Sequence, residues 1–451
     1  MTQMPPPGVP VQVPLVTEPM SLWASLQATR RNVLSIIPEI ATKQPMVSGK
    51  TGKRWHMVMD PGAIRRMLLE NLDNYPKSLV TKNLLKPAIG DSLFIAEGAH
   101  WRWQRRTAAP VFSHRNVMNL APVMSAAAQR SIDRIRQIGP RAVNFLDEMV
   151  SVTFDVISDV TFSGDSTFDR DGVHKAIDAY ISEAGKVSLF DILGAPDWVP
   201  RPGRAFHAGG VNQMKDMADR AIAARADRPA EGVPDLMDLL QVGKDPETGR
   251  SMSPSELRDN LLTFIVAGHE TTALTLSWSL YLLAFDQEAQ DRVRAEARAL
   301  MTGETVSGDD VAKLPFTRKV IDEALRLYPP AGMVSRTARA ADELCGREIR
   351  KSDTVIIPIY ALHRNHLLYD SPHAFRPDRW EQKPERYAYL PFGDGPRICI
   401  GASFALQEAI IILASLVANF RFTAVKGRDP EPVMILTLRP NGGVWLEAEP
   451  V

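Results

Sequence analysis

Apolar stretches with helical spacing alternate with short β-like runs along most of the chain. The run Arg54–Met59, closed by Asp60-Pro61-Gly62, predicts an early strand, and a helix follows through Leu69. No fixed-period repeat or low-complexity linker separates independent units. The pattern therefore predicts a fold that is mostly α with a smaller β region: a Pro-rich tail over residues 1–19, then a single domain over residues 20–451.

Two segments rich in Pro and Gly interrupt the helical pattern. Tyr75–Gly98 and Ser188–Gly210 both predict irregular chain. The second segment also carries Phe190, Leu193 and Trp198, and long loops with apolar side chains often cover binding sites. Ser188–Gly210 is therefore a candidate lid, and a loop that only packs on the surface is the alternative.

The longest helical pattern has a complete start signal. Ser253 is suited to the N-cap, Pro254 to the first helical position, and Glu256 completes a capping box. The helix can run to about Phe285, roughly 45 Å at 1.5 Å per residue. Its residues are apolar on almost every face, which predicts a helix buried through the middle of the domain.

A polar cluster breaks that helix at its centre, in the sequence Ala267-Gly268-His269-Glu270-Thr271-Thr272. Buried polar groups are costly unless they are satisfied, so the cluster needs a partner or a function. Gly268 carries no side chain, which would let a ligand lie close to the backbone. A zinc-binding His-Glu-x-x-His helix is excluded because Ala273 stands at the second ligand position. A kink whose polar groups are satisfied remains the structural alternative.

A second candidate lies in the predicted helix from Pro315 to Tyr328. Glu323 and Arg326 are three residues apart and share one face of that helix. On a solvent face such a pair carries little meaning. Among apolar neighbours it forms a desolvated ion pair that needs further hydrogen bonds.

The strongest pattern is the loop Pro391–Gly401, directly before a predicted helix from about Ala402 to Asn419. Cys399 lies at the start of that helix, where the positive end of the dipole and backbone N–H groups favour a thiolate. Gly401 would let a flat ligand approach the backbone. Cys345 has no such surroundings and is expected to be an inert thiol.

Composition excludes several classes of protein. Lys plus Arg and Asp plus Glu both number 53, so the net charge gives no reason to bind nucleic acid or an anionic membrane. Two cysteines among 451 residues indicate a reducing compartment. The N-terminus has no secretory signal, and the most apolar stretch, Ala409–Ala418, is about half the ~20 residues that span a bilayer. We therefore expect a cytoplasmic protein with no membrane segment.

Three of these motifs together resemble the signatures of the cytochrome P450 superfamily. They are Phe392-Gly393-x-Gly395-x-Arg397-x-Cys399-x-Gly401, Glu323-x-x-Arg326 and Ala267-Gly268-x-Glu270-Thr271-Thr272, in the N-to-C order of that family. The resemblance spans nearly the whole chain. It implies the cytochrome P450 fold, with a long central helix over a buried haem b, and a haem-thiolate monooxygenase activity.

The resemblance also implies a role for each matching residue. Cys399 would be the axial ligand of the haem iron, shielded by Phe392, and Glu270 with Thr271 would form the acid–alcohol pair that delivers protons. Arg379 would complete a structural triad with Glu323 and Arg326; the family usually has Glu and Phe where Asp378 and Trp380 stand. The other implied haem contacts are Trp101, Arg105, Arg336 and Arg397 at the propionates, His100 beside them, and Ala267 and Gly401.

Partners follow from the same resemblance. The chain ends at Val451, soon after Cys399, so we expect electrons from a separate ferredoxin and ferredoxin reductase, and a monomer. The reaction would insert one atom of O2 into a small hydrophobic substrate. A basic patch could meet the ferredoxin, formed by Arg102, Arg105, Arg106, His114 and Arg115. The alternatives are a peroxide-driven peroxygenase and a non-enzymatic haem-based ligand binder or sensor.

Overall fold

The computed structural model describes residues 9–162, 172, 208–226 and 234–451. The predicted class, mostly α with a smaller β region, is confirmed. The helices of the described residues are α1 Leu22–Arg31, α2 Pro61–Arg65, α3 Leu79–Ile89, α4 Gly98–Ala108, α5 His114–Asn119, α6 Ala121–Ile138, α7 Phe145–Phe162, α8 Ala208–Ala226, α9 Leu236–Val242, α10 Pro254–Phe285, α11 Gln287–Arg298, α12 Pro315–Leu327, α13 Ile359–Leu362 and α14 Ala402–Asn419.

The strands form small sheets at the edge of the helical body. They are β1 Met46–Thr51, β2 Lys53–Val58, β3 Val143–Asn144, β4 Val334–Thr337, β5 Asp342–Leu344, β6 Arg347–Ile349, β7 Thr354–Ile357, β8 Phe420–Ala424, β9 Glu431–Met434, β10 Leu438–Asn441 and β11 Trp445–Pro450. In the described residues, one sheet has the order β1-β2-β7-β4, with β2 and β7 parallel, and another has the order β3-β11-β8. The pairs β5–β6 and β9–β10 are antiparallel hairpins.

Helix α10 is the centre of the fold, as predicted. The Ser253 hydroxyl accepts from the Glu256 N–H while the Glu256 carboxylate accepts from the Ser253 N–H, so the capping box is present. The helix packs between α7 and α14, which cover it on two sides. Most of its residues are buried, which explains the apolar residues on almost every face.

The prediction that Tyr75–Gly98 is irregular was wrong for its central part, because α3 lies there. The Ser78 hydroxyl accepts from the Thr81 N–H and caps the helix. Pro87 lies inside the helix and lacks the N–H that would donate four residues back, yet the helix continues to Ile89. Gly90 then ends the helix with a φ of 55°, a backbone conformation that favours glycine.

Two further predicted segments fall partly on described residues. Residues 188–207 of the candidate lid lie outside the described residues, and its last three, 208–210, are the start of α8 rather than a loop. Residues 9–19 of the predicted tail pack on the domain: the Val11 N–H donates to Tyr281 Oη (3.1 Å) and the Val13 N–H to Tyr360 Oη (2.9 Å). Val11 and Val13 are therefore buried against the domain, whereas residues 17–19 are exposed, and the boundary at residue 19 stays a prediction.

Helix α14 follows Cys399 and runs beneath α10. Among the described residues it is the one helix long and apolar enough in composition to cross a membrane, and 72% of it is buried inside the protein. It packs against α6 as well as α10, as a core helix does. The observed bounds, Ala402–Asn419, match the prediction.

Candidate active site

One turn in the middle of α10 is open, although the helix is otherwise buried. Ala267 is exposed and Thr271 is half-buried, whereas Ile265 and Ala273 are buried. The Thr271 hydroxyl donates to the Ala267 carbonyl (2.7 Å), so the two residues share one face. The polar break in the sequence therefore marks a place where the central helix borders free space.

Gly268 serves helix packing and not ligand approach, contrary to the sequence-based expectation. A Cβ on Gly268 would lie 3.3 Å from Cδ1 of Ile157 on α7. The missing side chain lets α7 come close to α10 at this turn. The Thr272 hydroxyl donates a hydrogen bond to the Gly268 carbonyl (3.0 Å), so this hydroxyl has its partner within the helix.

Cys399 ends a tight loop before α14. Its N–H donates to the Phe392 carbonyl (2.9 Å), which closes the loop. Gly395 has a φ of 73°, and a Cβ there would lie 2.4 Å from the Leu68 carbonyl oxygen, so only glycine fits. A Cβ on Gly401 would meet only Phe112 within 4 Å, at 3.9 Å, which leaves room beside the loop.

The Cys399 residue is exposed, and the loop around it is partly buried, yet protein atoms crowd the sulfur. Burial raises the pKa of its thiol, and this outweighs the Gly401 N–H and the Arg105 guanidinium, which both lower it. The predicted stabilisation by the helix start is present but insufficient by itself to give a thiolate. A cation at the sulfur would be needed to hold the deprotonated form.

Three cations meet beside this loop with one carboxylate between them. Arg397 pairs with Glu97, donates to the Ala96 carbonyl, and stacks its guanidinium 4.4 Å from the Trp101 ring centre. Burial, followed by the charges of Arg397 and Arg336, lowers the pKa of Lys77 well below its usual value. An uncompensated positive cluster of this kind needs an anion.

Arg336 is the member of this cluster whose hydrogen bonds are least satisfied. It is 8% exposed, its NH1 group donates to the Ser335 carbonyl (3.2 Å), and its buried Nε has no partner among the described residues. Burial and the nearby Arg397 lower the pKa of Arg336 to about 10. Strand β4 therefore delivers a buried donor that no group of the described protein uses.

Helix α4 carries three further residues that were predicted to contact the cofactor, and they do not all point to the same place. Trp101 is buried under Arg397, whereas Arg105 donates to the Ile398 carbonyl (2.9 Å) next to Cys399. His100 bonds the Asp91 carbonyl (3.2 Å) and the Trp103 indole N–H (3.2 Å). The structure thus brings Trp101 and Arg105 to the cysteine loop. The ring nitrogens of His100 are instead hydrogen-bonded to Asp91 and Trp103.

Glu323, Arg326 and Arg379 lie together in the core. Glu323 and Arg326 are fully buried and form a bidentate pair at 2.8 and 2.9 Å, and Arg379 Nε donates to Glu323 Oε1 at 2.9 Å. Arg326 also donates to the carbonyls of His363 and Pro372. Burial alone would raise the pKa of Glu323, but the two arginines hold it below its usual value.

Trp380 adds a contact that sequence reasoning missed. Its indole N–H donates to Glu323 Oε2 (3.0 Å), so the unusual residue at this position supplies a further donor to the buried carboxylate. Asp378, the other departure, pairs with Arg292 at 2.8 Å on the surface. Both departures are therefore accommodated by hydrogen bonds to residues of other helices, α12 for Trp380 and α11 for Asp378.

Glu270 is held by residues that no local signal in the sequence connects with it. Its carboxylate is 4% exposed and accepts from Arg439 Nε and from Thr437 Oγ1, both at 2.6 Å. Thr437 immediately precedes strand β10 and Arg439 is the second residue of that strand. Both lie more than 160 positions further along the chain than Glu270. Sequence spacing could not predict this contact.

A second buried carboxyl lies behind the open turn of α10. Glu408 of α14 is 1% exposed, contacts the Thr272 hydroxyl, and has one oxygen without a partner among the described residues. Burial raises its pKa well above the usual value, which favours the protonated, neutral carboxyl. The only sequence signal was a glutamate inside an apolar helix.

The predicted basic patch is partly neutralised. Arg106 pairs with the buried Asp245 (2.6 Å) and with Glu247 (3.1 Å). Arg102 lies 3.5 Å from Asp73. The patch therefore carries less positive charge than its sequence indicates.

Comparison with known proteins identifies the family. The family model "Cytochrome P450" matches residues 14–447. The chain belongs to the cytochrome P450 family. It is therefore a monooxygenase, an oxidoreductase of a haem-thiolate family.

Relatives and solved structures agree with this membership. Cyclooctat-9-en-7-ol 5-monooxygenase of Streptomyces melanosporofaciens is 30% identical over 436 residues, covering 93% of this chain and 90% of that protein. The bifunctional cytochrome P450/NADPH–P450 reductase 2 of Bacillus subtilis (strain 168) is 31% identical over 363 residues, 78% of this chain and 34% of that protein. The crystal structure of the cytochrome P450DA heme domain superposes with a TM-score of 0.80, at 26% identity and 90% coverage of both chains.

The residues present fit a P450 haem. The orphaned Nε of Arg336 and the cationic cluster around it suit an anionic group such as a propionate. The accessible Cys399 side chain and the room at Gly401 suit an iron-bound macrocycle on one side of the loop. The exposed Ala267 leaves space beside α10 for the face of the macrocycle that is turned away from the cysteine loop.

Proposed function

We propose that this cytochrome P450 inserts one atom of O2 into a small apolar substrate, at a haem b bound through Cys399. The observation that carries the proposal is an accessible thiol beside a buried cationic cluster that contains an orphaned donor on Arg336. The peroxygenase and the ligand binder or sensor remain as outcomes of the test below.

Haem binding would use both sides of the cysteine loop. Cys399 would bind the iron, Phe392 would shield its sulfur, and the propionates would meet Arg336, Arg397 and the indole of Trp101. The other residues proposed to line the cofactor are Arg105, Ala267, Gly401 and His100. When bound, the group supplies the activation of O2, with a thiolate that favours O–O cleavage.

The protein's own contribution to the reaction would be proton handling at α10. The Thr271 hydroxyl borders the open turn and would orient water and protons there, since its oxygen can both donate and accept. The Glu270 carboxylate would exchange the protons with solvent. The pair supports a monooxygenase because a peroxygenase that takes its acid from the substrate needs neither residue.

Redox partners are proposed to be a separate ferredoxin and its reductase, acting on a cytoplasmic monomer. The exposed Arg115 supports an acidic partner on this side of the molecule, whereas Arg102 is paired with Asp73 and Arg106 with Asp245. The Bacillus subtilis relative is named as a bifunctional P450 and P450 reductase, and this chain matches 34% of it. A basic face on this chain suits a donor that arrives by diffusion.

The substrate is proposed to be a small hydrophobic molecule. Val266 of α10, Val334 of β4 and Leu436 of the turn before β10 are only partly buried, as residues at a cavity edge are. The name of the Streptomyces melanosporofaciens relative gives cyclooctat-9-en-7-ol as its substrate. A cyclic, largely hydrocarbon alcohol is therefore a suitable first compound to test.

The deciding experiment compares three conditions on the haem-loaded protein. We expect oxygenated product with ferredoxin, ferredoxin reductase and O2, and much less with hydrogen peroxide alone. Equal or greater product with peroxide would support the peroxygenase. Ligand binding without product under either condition would support a sensor and overturn the proposal.

A further inference from the structure

Helix α10 presents its carboxylate and its alcohol on two different faces at the same turn. Successive residues of a helix are about 100° apart. Thr271 shares a face with Ala267 and borders the open turn. Glu270 shares a face with Leu274, four residues later, and these two residues line a separate cleft.

The cleft opens to solvent between α7, α10 and strand β10. Its volume is about 290 Å³, room for several water molecules, each of which occupies about 30 Å³ in the liquid. Asp147 and Ser151 of α7 lie at its mouth and are exposed. Glu270, which is 3% exposed, forms its inner end. The cleft therefore leads from bulk water to the buried carboxylate, and neither Ala267 nor Thr271 of the open turn lines it.

Two donors fix the Glu270 carboxylate at that inner end. Arg439 Nε and Thr437 Oγ1 both donate to Oε1 at 2.6 Å, and the Arg439 side chain also lines the cleft. Asp147 is the other charged group in the cleft, while His269, next along α10, turns away to the Ile265 carbonyl. Glu270 is thus oriented from the β9–β10 hairpin and not by its own helix.

We propose that this cleft is the proton entrance of the enzyme, and that Arg439 and Thr437 are positioning residues that hold Glu270 at its end. A hydronium ion in the cleft gives its proton to the Glu270 carboxylate and leaves water. The neutral acid then gives that proton to a water at the Thr271 side of α10, which becomes hydronium, and returns to the carboxylate, so charge and atoms balance. The inference rests on the proposed monooxygenase function and assigns its solvent path.

Variants at the hairpin test the positioning role in the haem-loaded protein. Arg439→Gln and Thr437→Val should lower product per reducing equivalent several-fold and raise the solvent isotope effect in D2O, while the spectral Kd of the substrate is unchanged. Arg439→Lys should recover part of the coupling because it keeps the charge. Arg421→Gln is the matched control, since Arg421 is equally exposed and pairs with Asp291 on the surface. Coupling in Arg439→Gln equal to that of Arg421→Gln would overturn the proposal.

Cysteine labelling tests the cleft without turnover. In a Cys345→Ser background, Glu270→Cys and Thr271→Cys are treated with a trimethylammonium methanethiosulfonate, with and without a haem-binding azole, and the labelled mass is measured. We expect the azole to protect position 271 and leave position 270 reactive, because the two positions open to different spaces. Protection of both positions by the azole would show that Glu270 has no solvent path of its own.

A label that blocks the mouth of the cleft tests the proton entrance separately from the proposed function. In the same background, Ser151→Cys labelled with this reagent should lose coupling, while labelled Ser255→Cys, exposed at the start of α10, should not. Equal coupling in the two labelled proteins would overturn the entrance. A wild type that makes no product with any electron source would instead refute the proposed function, and the labelling at positions 270 and 271 would still decide on the cleft.

Discussion

Arg397 lies close enough to Arg336 that its charge, added to burial, lowers the pKa of Arg336 to about 10. The two guanidinium groups repel each other, and the buried Nε of Arg336 has no hydrogen-bond partner among the described residues. We therefore expect an anion bound here to stabilise the site. Arg336→Ala should therefore weaken haem binding by about 10- to 100-fold, the equivalent of a charge-assisted hydrogen bond of about 1.5–3 kcal/mol. Haem titration of the apoprotein measures this. The exposed Arg339→Ala is the control, and equal haem affinity in both variants would remove Arg336 from the site.

Loss of one partner from the Glu323–Arg326 pair should destabilise the protein strongly. Glu323→Ala leaves two buried arginines without their shared carboxylate, and we expect a cost of about 3–5 kcal/mol in the free energy of unfolding. Chemical denaturation and haem content measure the effect. Arg350→Ala, which breaks an exposed pair with Glu348, should change stability by less than about 1 kcal/mol. Similar costs in the two variants would contradict the structural role.

Cys399→Ser should abolish the red-shifted Soret band of the reduced carbon monoxide complex, since a hydroxyl is a far weaker donor to iron than a thiolate. Cys345→Ser should leave the band unchanged. Burial raises the pKa of the Cys345 thiol to about 11, so it stays protonated at pH 7. An exchange of the two outcomes would show that the axial assignment is wrong.

Thr271→Ala should uncouple electron consumption from product formation, because the hydroxyl at the open turn is lost while Cys399 is untouched. Reducing equivalents should still be consumed, with less product and more peroxide. Thr272→Ala is the neighbouring control: its hydroxyl bonds Gly268 and contacts Glu408, so we expect a smaller effect on coupling. Product yield per reducing equivalent decides between the two, and equal yields in wild type and Thr271→Ala would remove Thr271 from proton delivery.

Glu408 should make the protein less stable as pH rises. Its pKa is raised in the folded state, so the folded protein binds more protons than the unfolded chain between the ordinary glutamate pKa of 4.5 and the higher folded pKa. The contribution of Glu408 to the free energy of unfolding is then fully present below the unfolded pKa. It is lost as pH rises to the folded pKa, by at most about 1.4 kcal/mol per pH unit. Glu408→Gln should remove this slope in unfolding experiments from pH 5 to 8. A slope equal to that of wild type would show that the carboxyl is ionised in the fold.

Much of the fold and of the candidate site follows from signals between near neighbours in the chain. The capping box at Ser253 and Glu256, the helix start after Cys399 and the three-residue spacing of Glu323 and Arg326 each act within one or two turns. Local geometry decides such features, and family resemblance adds the haem chemistry. The Tyr75–Gly98 prediction failed because it gave weight to Pro87 and Gly90 and overlooked the local N-cap at Ser78.

The tertiary structure alone decided the contacts between distant segments. Glu270 meets Arg439 across 169 positions, Trp380 reaches Glu323 across 57, and Gly268 faces Ile157 of another helix. No periodicity encodes these partners, because they depend on how helices and hairpins pack once the core is buried. The sequence thus determined which residues carry the chemistry, and packing determined which solvent path and which supporting donors each of them has.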